Sequence, residues 1–131
     1  MAEPPHAPTV LVVDDEAQVR AIARRALEEG GYQVLEAGNG RAAIDLLAQG
    51  PVVDLLIADL NMPGLGGYEM VQRIRTTRPD LKVLYVSGHI SRLMDARPLW
   101  EVEAFLNKPF TRDGLREAVA LLVYGTLKKP E

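Results

Sequence analysis

Short apolar runs alternate along this chain with segments in which apolar residues recur at helical spacing, and that alternation predicts an α/β fold. The runs Thr9 to Val13, Gln33 to Ala37, Asp54 to Ala58, Lys82 to Ser87 and Ala104 to Leu106 read as strands. Most are near-continuous Val, Leu and Ile, the pattern of strands covered on both faces in a parallel sheet flanked by crossover helices. Between them, Val19, Ile22, Ala23, Ala26 and Leu27 share one helical stripe, which is expected to face the core, and Gly30-Gly31 should stop that helix. Asn39 is the expected N-cap of a second helix through Leu46 and Leu47, and Leu115, Ala118, Val119 and Leu122 stripe the last one. The helical candidate at Ile90 to Leu99 is the weakest, because Pro98 cannot continue a helix.

Length and composition narrow the function. With 131 residues there is room for one core and no second domain with its own activity. The segment 1–8 is polar and proline-rich and reads as a flexible lead-in, 9–124 as the domain, and 125–131 as a frayed tail. A net charge of −3 offers no broad basic face, so neither nucleic acid nor anionic lipid is an expected partner. The absence of cysteine removes disulfides, thiolate nucleophiles and cysteine-ligated zinc. Apolar stretches such as Val10 to Val13 fall far short of the roughly 18 residues of a membrane span. A cytoplasmic protein is expected.

In open α/β sheets ligands bind beyond the carboxyl ends of the strands, so the polar residue that follows each apolar run is the one to inspect. Val10 to Val13 runs into Asp14-Asp15-Glu16, Leu55 to Ala58 into Asp59, Val83 to Val86 into Ser87, and Phe105-Leu106-Asn107 into Lys108. Each alone has a plain structural reading: a helix start, a turn former or a surface charge. Together they place three carboxylates, a hydroxyl and an ammonium at one sheet edge. Three clustered carboxylates repel unless a cation neutralises them, and an all-oxygen site suits magnesium, with manganese as the alternative. A metal, a lysine, a hydroxyl and a spare carboxylate make a set suited to phosphoryl transfer, which is mostly positioning and charge neutralisation.

Leu11-Val-Val-Asp-Asp-Glu16, Asp59-Leu-Asn-Met-Pro63, Ser87-Gly88 and Lys108-Pro-Phe110 stand in the order and spacing of bacterial response-regulator receiver domains, which the chain resembles over roughly Thr9 to Tyr124. The resemblance implies a single doubly wound, flavodoxin-like parallel sheet of five strands in the order 2-1-3-4-5, with five helices. It implies Asp59 as phosphoacceptor and Asp15, Asp59 and the backbone carbonyl of Asn61 as magnesium ligands, with Asp14 acting through water. Lys108 would hold a phosphoryl oxygen or, in the resting state, Asp59. Ser87 and Phe105 match the switch positions, and Lys108-Pro109 the cis peptide bond. Asn61 and His89 occupy positions that tune phosphoryl lifetime. The phosphodonor would be a histidine kinase or a histidine phosphotransfer protein, and the chain a monomer or a weak, phosphorylation-dependent dimer. It would be a signalling module that catalyses only its own phosphorylation and dephosphorylation, not a turnover enzyme.

Two departures stand out. The Asp-Gly usual before the third helix is here Gly66-Gly67, which removes a capping carboxylate. The stretch Met94 to Glu103 lacks the usual Gly-Ala turn, which puts output through that face in question and leaves Trp100 as either a core plug or a partner contact. A module that binds partners without phosphorylation is the main alternative, and the intact Asp14, Asp15, Asp59, Ser87 and Lys108 set argues against it. An aspartyl phosphatase would carry a second Asp where Asn61 stands. A flavin protein would need a Ser/Thr/Gly-rich phosphate loop after the first strand.

Overall fold

The computed structural model describes residues 7–88 and 103–125. The expected lead-in and tail therefore fall largely outside the described residues, and His89, Trp100 and the helical candidate at 90–99 entirely so. Five strands, β1 (Thr9–Val13), β2 (Gln33–Ala37), β3 (Leu55–Asp59), β4 (Lys82–Ser87) and β5 (Glu103–Asn107), form one parallel sheet in the order β2-β1-β3-β4-β5. Four helices are described: α1 (Ala17–Glu29), α2 (Gly40–Ala48), α3 (Gly67–Arg75) and α4 (Arg112–Tyr124).

The period of two along each strand sorts the core into two layers. Leu11, Val13, Leu56, Ala58, Val83 and Tyr85 face α2 and α3, where Ala43, Leu47, Met70, Val71 and Ile74 meet them. Val10, Val12, Leu55, Ile57, Leu84 and Val86 face α1 and α4, against Ala23, Ala26, Leu27, Leu115, Val119 and Leu122. All five residues of β3 are buried, as the sequence pattern requires for a strand covered on both sides. Each fully buried Leu, Ile or Val of these layers contributes on the order of 1.5–3 kcal/mol.

Local signals set the element ends. Asn39 caps α2 by accepting a bond from the backbone N–H of Ala42 (2.8 Å), and Thr111 caps α4 by accepting from Gly114 (2.9 Å). Gly125 closes α4 in the left-handed region at φ 72°. The start of α3 at Gly66 has no side-chain cap, as the Gly66-Gly67 pair leads one to expect.

One expectation needs correcting. The α1 stripe does not all face the core: Ala23, Ala26 and Leu27 are buried, whereas Ile22 is 58% exposed. At about 100° per residue Ile22 points well to the side of Ala23, so a stripe this wide cannot lie entirely against the sheet. Ile22 instead borders a cavity of about 310 Å³ with Val19, Pro109 and Phe110.

Candidate functional site

The sheet order reverses at β1, from which β2 lies on one side and β3 on the other, and the crevice for a ligand opens at the carboxyl ends of β1 and β3. Asp14 directly follows β1, and its N–H continues the ladder to the Ala37 carbonyl (3.2 Å). Asp59 is the last residue of β3. Ser87 ends β4, and its carbonyl accepts from the N–H of Lys108, which leaves β5 one residue later (2.9 Å). Lys108-Pro109 is cis, as expected.

The side chains converge. Oxygens of Asp14, Asp15 and Asp59 lie within 4.8 Å of one another. Asp14 and Asp59 are buried, at 3% and 2% exposure, while Asp15 is exposed. Lys108 Nζ bridges the two buried carboxylates, at 2.8 Å from Asp14 Oδ2 and 3.2 Å from Asp59 Oδ2. The sequence pointed to Asp59 as the lysine's resting partner; the shorter contact is to Asp14. The second oxygen of each carboxylate accepts a backbone N–H two residues on, from Glu16 to Asp14 Oδ1 and from Asn61 to Asp59 Oδ1, both at 2.9 Å. These local turns orient the carboxylates before any ligand arrives.

Burial raises the Asp59 pKa above the ordinary carboxylate value. The Asn61 N–H opposes that shift, the Asp14 charge adds to it, and Lys108 opposes it. For Lys108 burial works against the charge, but its bonds and attraction to Asp14 and then Asp59 outweigh that cost and leave its pKa raised. One ammonium thus pairs with two of the three carboxylates, and the cluster retains negative charge that an oxygen-seeking divalent cation is suited to take up.

Several contacts around the site had no counterpart in the sequence reading. The Asn61 amide donates through Nδ2 to Ser87 Oγ at 3.1 Å, joining the loop after β3 to the end of β4, 26 residues apart. Phe105, half-buried on β5, stacks on Tyr85 with ring centroids 5.3 Å apart, and Tyr85 meets Tyr68 of α3 at 4.9 Å. The neighbouring Tyr, Phe and Tyr are visible in the sequence, but nothing in their spacing says that they form one series.

With this geometry in hand, the comparison with known proteins is direct. The family described as the response regulator receiver domain matches residues 10–120. The chain belongs to that family. Among receiver-containing relatives, the sensor kinase CckA of Brucella abortus (strain 2308) is 36% identical over 113 residues, which cover 85% of this chain and 12% of that protein. Sporulation initiation phosphotransferase F of Bacillus subtilis (strain 168) is 29% identical over 112 residues, 84% of this chain and 89% of its own length. The receiver fold also superposes on the response regulator protein TrrA from Thermotoga maritima, solved in complex with Mg(2+)-BeF. That match has a TM-score of 0.77 and 33% identity, and covers 88% of this chain and 98% of that one. The chain therefore spans about an eighth of one relative and nearly all of another. As a receiver domain it is a phosphoacceptor module of two-component signalling, and its acidic pocket fits that task.

Proposed function

We propose that Asp59 is the phosphoryl-accepting residue of this receiver and that a phosphohistidine on a kinase or a histidine phosphotransfer protein is the donor. The observation that carries this reading is the meeting of Asp59 with Asp14, Asp15 and Lys108 at the switch point of the sheet. A carboxylate oxygen of Asp59 attacks the phosphorus, the P–N bond to the donor imidazole breaks, and an acyl phosphate forms on Asp59. The displaced imidazole takes up a proton.

The remaining side chains position and neutralise. Lys108 exchanges its contact with Asp59 for a phosphoryl oxygen. Ser87, whose hydroxyl meets the Asn61 amide before transfer, donates to a second phosphoryl oxygen. Asp15, Asp59 and the Asn61 carbonyl would hold a magnesium ion directly, and Asp14 would do so through water. Bound there, magnesium offsets the charge of the phosphoryl oxygens. Output follows as a population shift in which the contacts to Ser87 and Lys108 favour one packing of Phe105 against Tyr85. The proposed setting of this exchange is the cytoplasm, and no helix among the described residues is long and apolar enough to cross a membrane.

The test is intact mass after incubation with acetyl phosphate, for the wild type with and without magnesium and for Asp59→Asn. A single phosphoryl adduct that needs both Asp59 and the metal is the expected result. No adduct on folded wild-type protein would replace this reading with a module that binds partners without phosphorylation.

A further inference from the structure

Arg20 lies on the first turns of α1, outside the acidic pocket, yet its guanidinium reaches back to the backbone of the strand end. Its Nη1 donates to the Asp14 carbonyl at 2.7 Å, and its Nε donates to Glu36 Oε1 on β2 at 3.2 Å. The other Glu36 oxygen is taken by Arg24 Nε, one helical turn further along. The guanidinium also lies over Gly38, where a Cβ would meet Nη1 at 3.4 Å. Arg20 is thus held by Glu36 while it grips one carbonyl, with its side chain only 21% exposed.

That carbonyl belongs to the peptide joining Asp14 to Asp15. A peptide group is planar, so fixing the direction of its C=O fixes the plane from which the Asp15 backbone starts. Asp14 is already anchored through its N–H on Ala37, its Oδ1 on Glu16 and its Oδ2 against Lys108. Asp15 is exposed, and the Arg20 bond is what orients the peptide on its N-terminal side.

A cation this close to three carboxylates would compete with a metal if its charge were bare. Glu36 answers the Arg20 charge locally, so the arginine supplies a directed donor without a large opposing field.

We propose that Arg20, locked by Glu36, is a positioning residue that sets the Asp14–Asp15 peptide so that the Asp15 carboxylate is presented to the divalent cation. The inference rests on the proposed magnesium site and adds a residue that touches neither metal nor phosphoryl group. Groups that orient metal ligands typically contribute ten- to hundredfold to affinity.

Manganese serves as the probe, with free Mn(2+) counted by electron paramagnetic resonance during titration of the full chain, alongside metal-free urea unfolding. Arg20→Met is expected to weaken Mn(2+) binding by about tenfold, and Arg20→Lys, which keeps one donor and the charge, to recover part of the loss. Glu36→Gln keeps an acceptor but weakens the hold on Arg20 and leaves its charge unanswered, and is expected to fall between wild type and Arg20→Met. It keeps the test available if the Met variant does not fold. A merely structural arginine would lower urea stability and leave the affinity of the folded protein unchanged. Folded Arg20→Met and Glu36→Gln binding Mn(2+) within about twofold of wild type would overturn the inference alone. Wild type that binds no Mn(2+) would overturn the metal site and the inference with it.

Discussion

Replacing Lys108 by Met removes the one ammonium that lies between two buried carboxylates and keeps most of the side-chain volume. The Asp14 and Asp59 side chains are 4% and 2% exposed, and Lys108 touches them at 2.8 and 3.2 Å. Removing one partner of a fully buried ion pair costs about 3–5 kcal/mol, because the charge left behind is uncompensated. The Lys108 side chain is 20% exposed, so water reaches the vacated position and brings the cost below that range, to about 2–3 kcal/mol in metal-free buffer near neutral pH. For a chain of this length that is a fall in Tm of roughly 10 °C.

The pH dependence separates this electrostatic cost from lost packing. Asp59 already has a raised pKa in the folded protein, from burial first and then the Asp14 charge, so the folded state holds the proton more tightly than the unfolded chain. The penalty for its ionised form is present above the folded pKa and disappears as pH falls through it. Losing Lys108 takes away an influence that lowered that pKa, so relief begins at pH values further above the ordinary carboxylate figure of about 3.9. Lys108 itself, with its pKa raised, stays charged throughout this range in the wild type. Thermal and urea unfolding in EDTA from pH 8 to pH 5 should show the gap between wild type and Lys108→Met narrowing, and Asp59→Asn should shrink it at pH 8. A gap that ignores both pH and Asp59→Asn would refute the reasoning.

The same logic predicts that Asp59→Asn on its own raises metal-free stability at pH 8 by about 0.5–2 kcal/mol, the usual scale for relieving a strained functional site. The gain should fade as pH drops through the folded Asp59 pKa, because the wild-type carboxyl is then neutral too; urea titrations at the two pH values measure it. The two glycines at the start of α3 should behave oppositely. A Cβ at Gly67 would sit 2.7 Å from the Asp59 carbonyl and 3.2 Å from Leu60 Cα, so Gly67→Ala should cost about 1–3 kcal/mol and lower phosphoryl uptake. At Gly66 nothing lies within 4 Å of the same position, and Gly66→Asp should stabilise by about 0.5–1 kcal/mol through a cap and a stiffer unfolded chain. Urea midpoints for the pair decide whether close approach or capping governs this turn.

The reading from sequence succeeded where one-dimensional pattern carries three-dimensional consequence. An apolar run that must lie in a parallel sheet also says where its last residue goes, which is why Asp14, Asp59, Ser87 and Lys108 could be assigned to one edge before any coordinates. Asn39 and the bare Gly66 were legible for the same reason, since capping is decided within a few residues. Contacts between side chains on separate elements were not. Arg20 with Glu36 and Asn61 with Ser87 join residues 16 and 26 apart, and neither spacing is a periodicity of helix or strand. The outward turn of Ile22 was lost because a helical stripe gives the facing direction only to within the width of the stripe.

The sheet order has one more consequence. Asp59 is rooted in β3, the middle strand, buried along its whole length and paired on both sides, whereas Phe105 belongs to β5, a rim strand that among the described residues pairs only with β4. Backbone amides of a middle strand exchange with solvent only when the whole domain opens, while those of a rim strand exchange through smaller local openings. On the proposed reading, the phosphoryl-accepting carboxylate is anchored in a strand paired on both sides, and the switch aromatic Phe105 stands on a rim strand that opens more cheaply. On that same reading, phosphorylation would loosen or tighten the rim without disturbing the floor on which the chemistry is done.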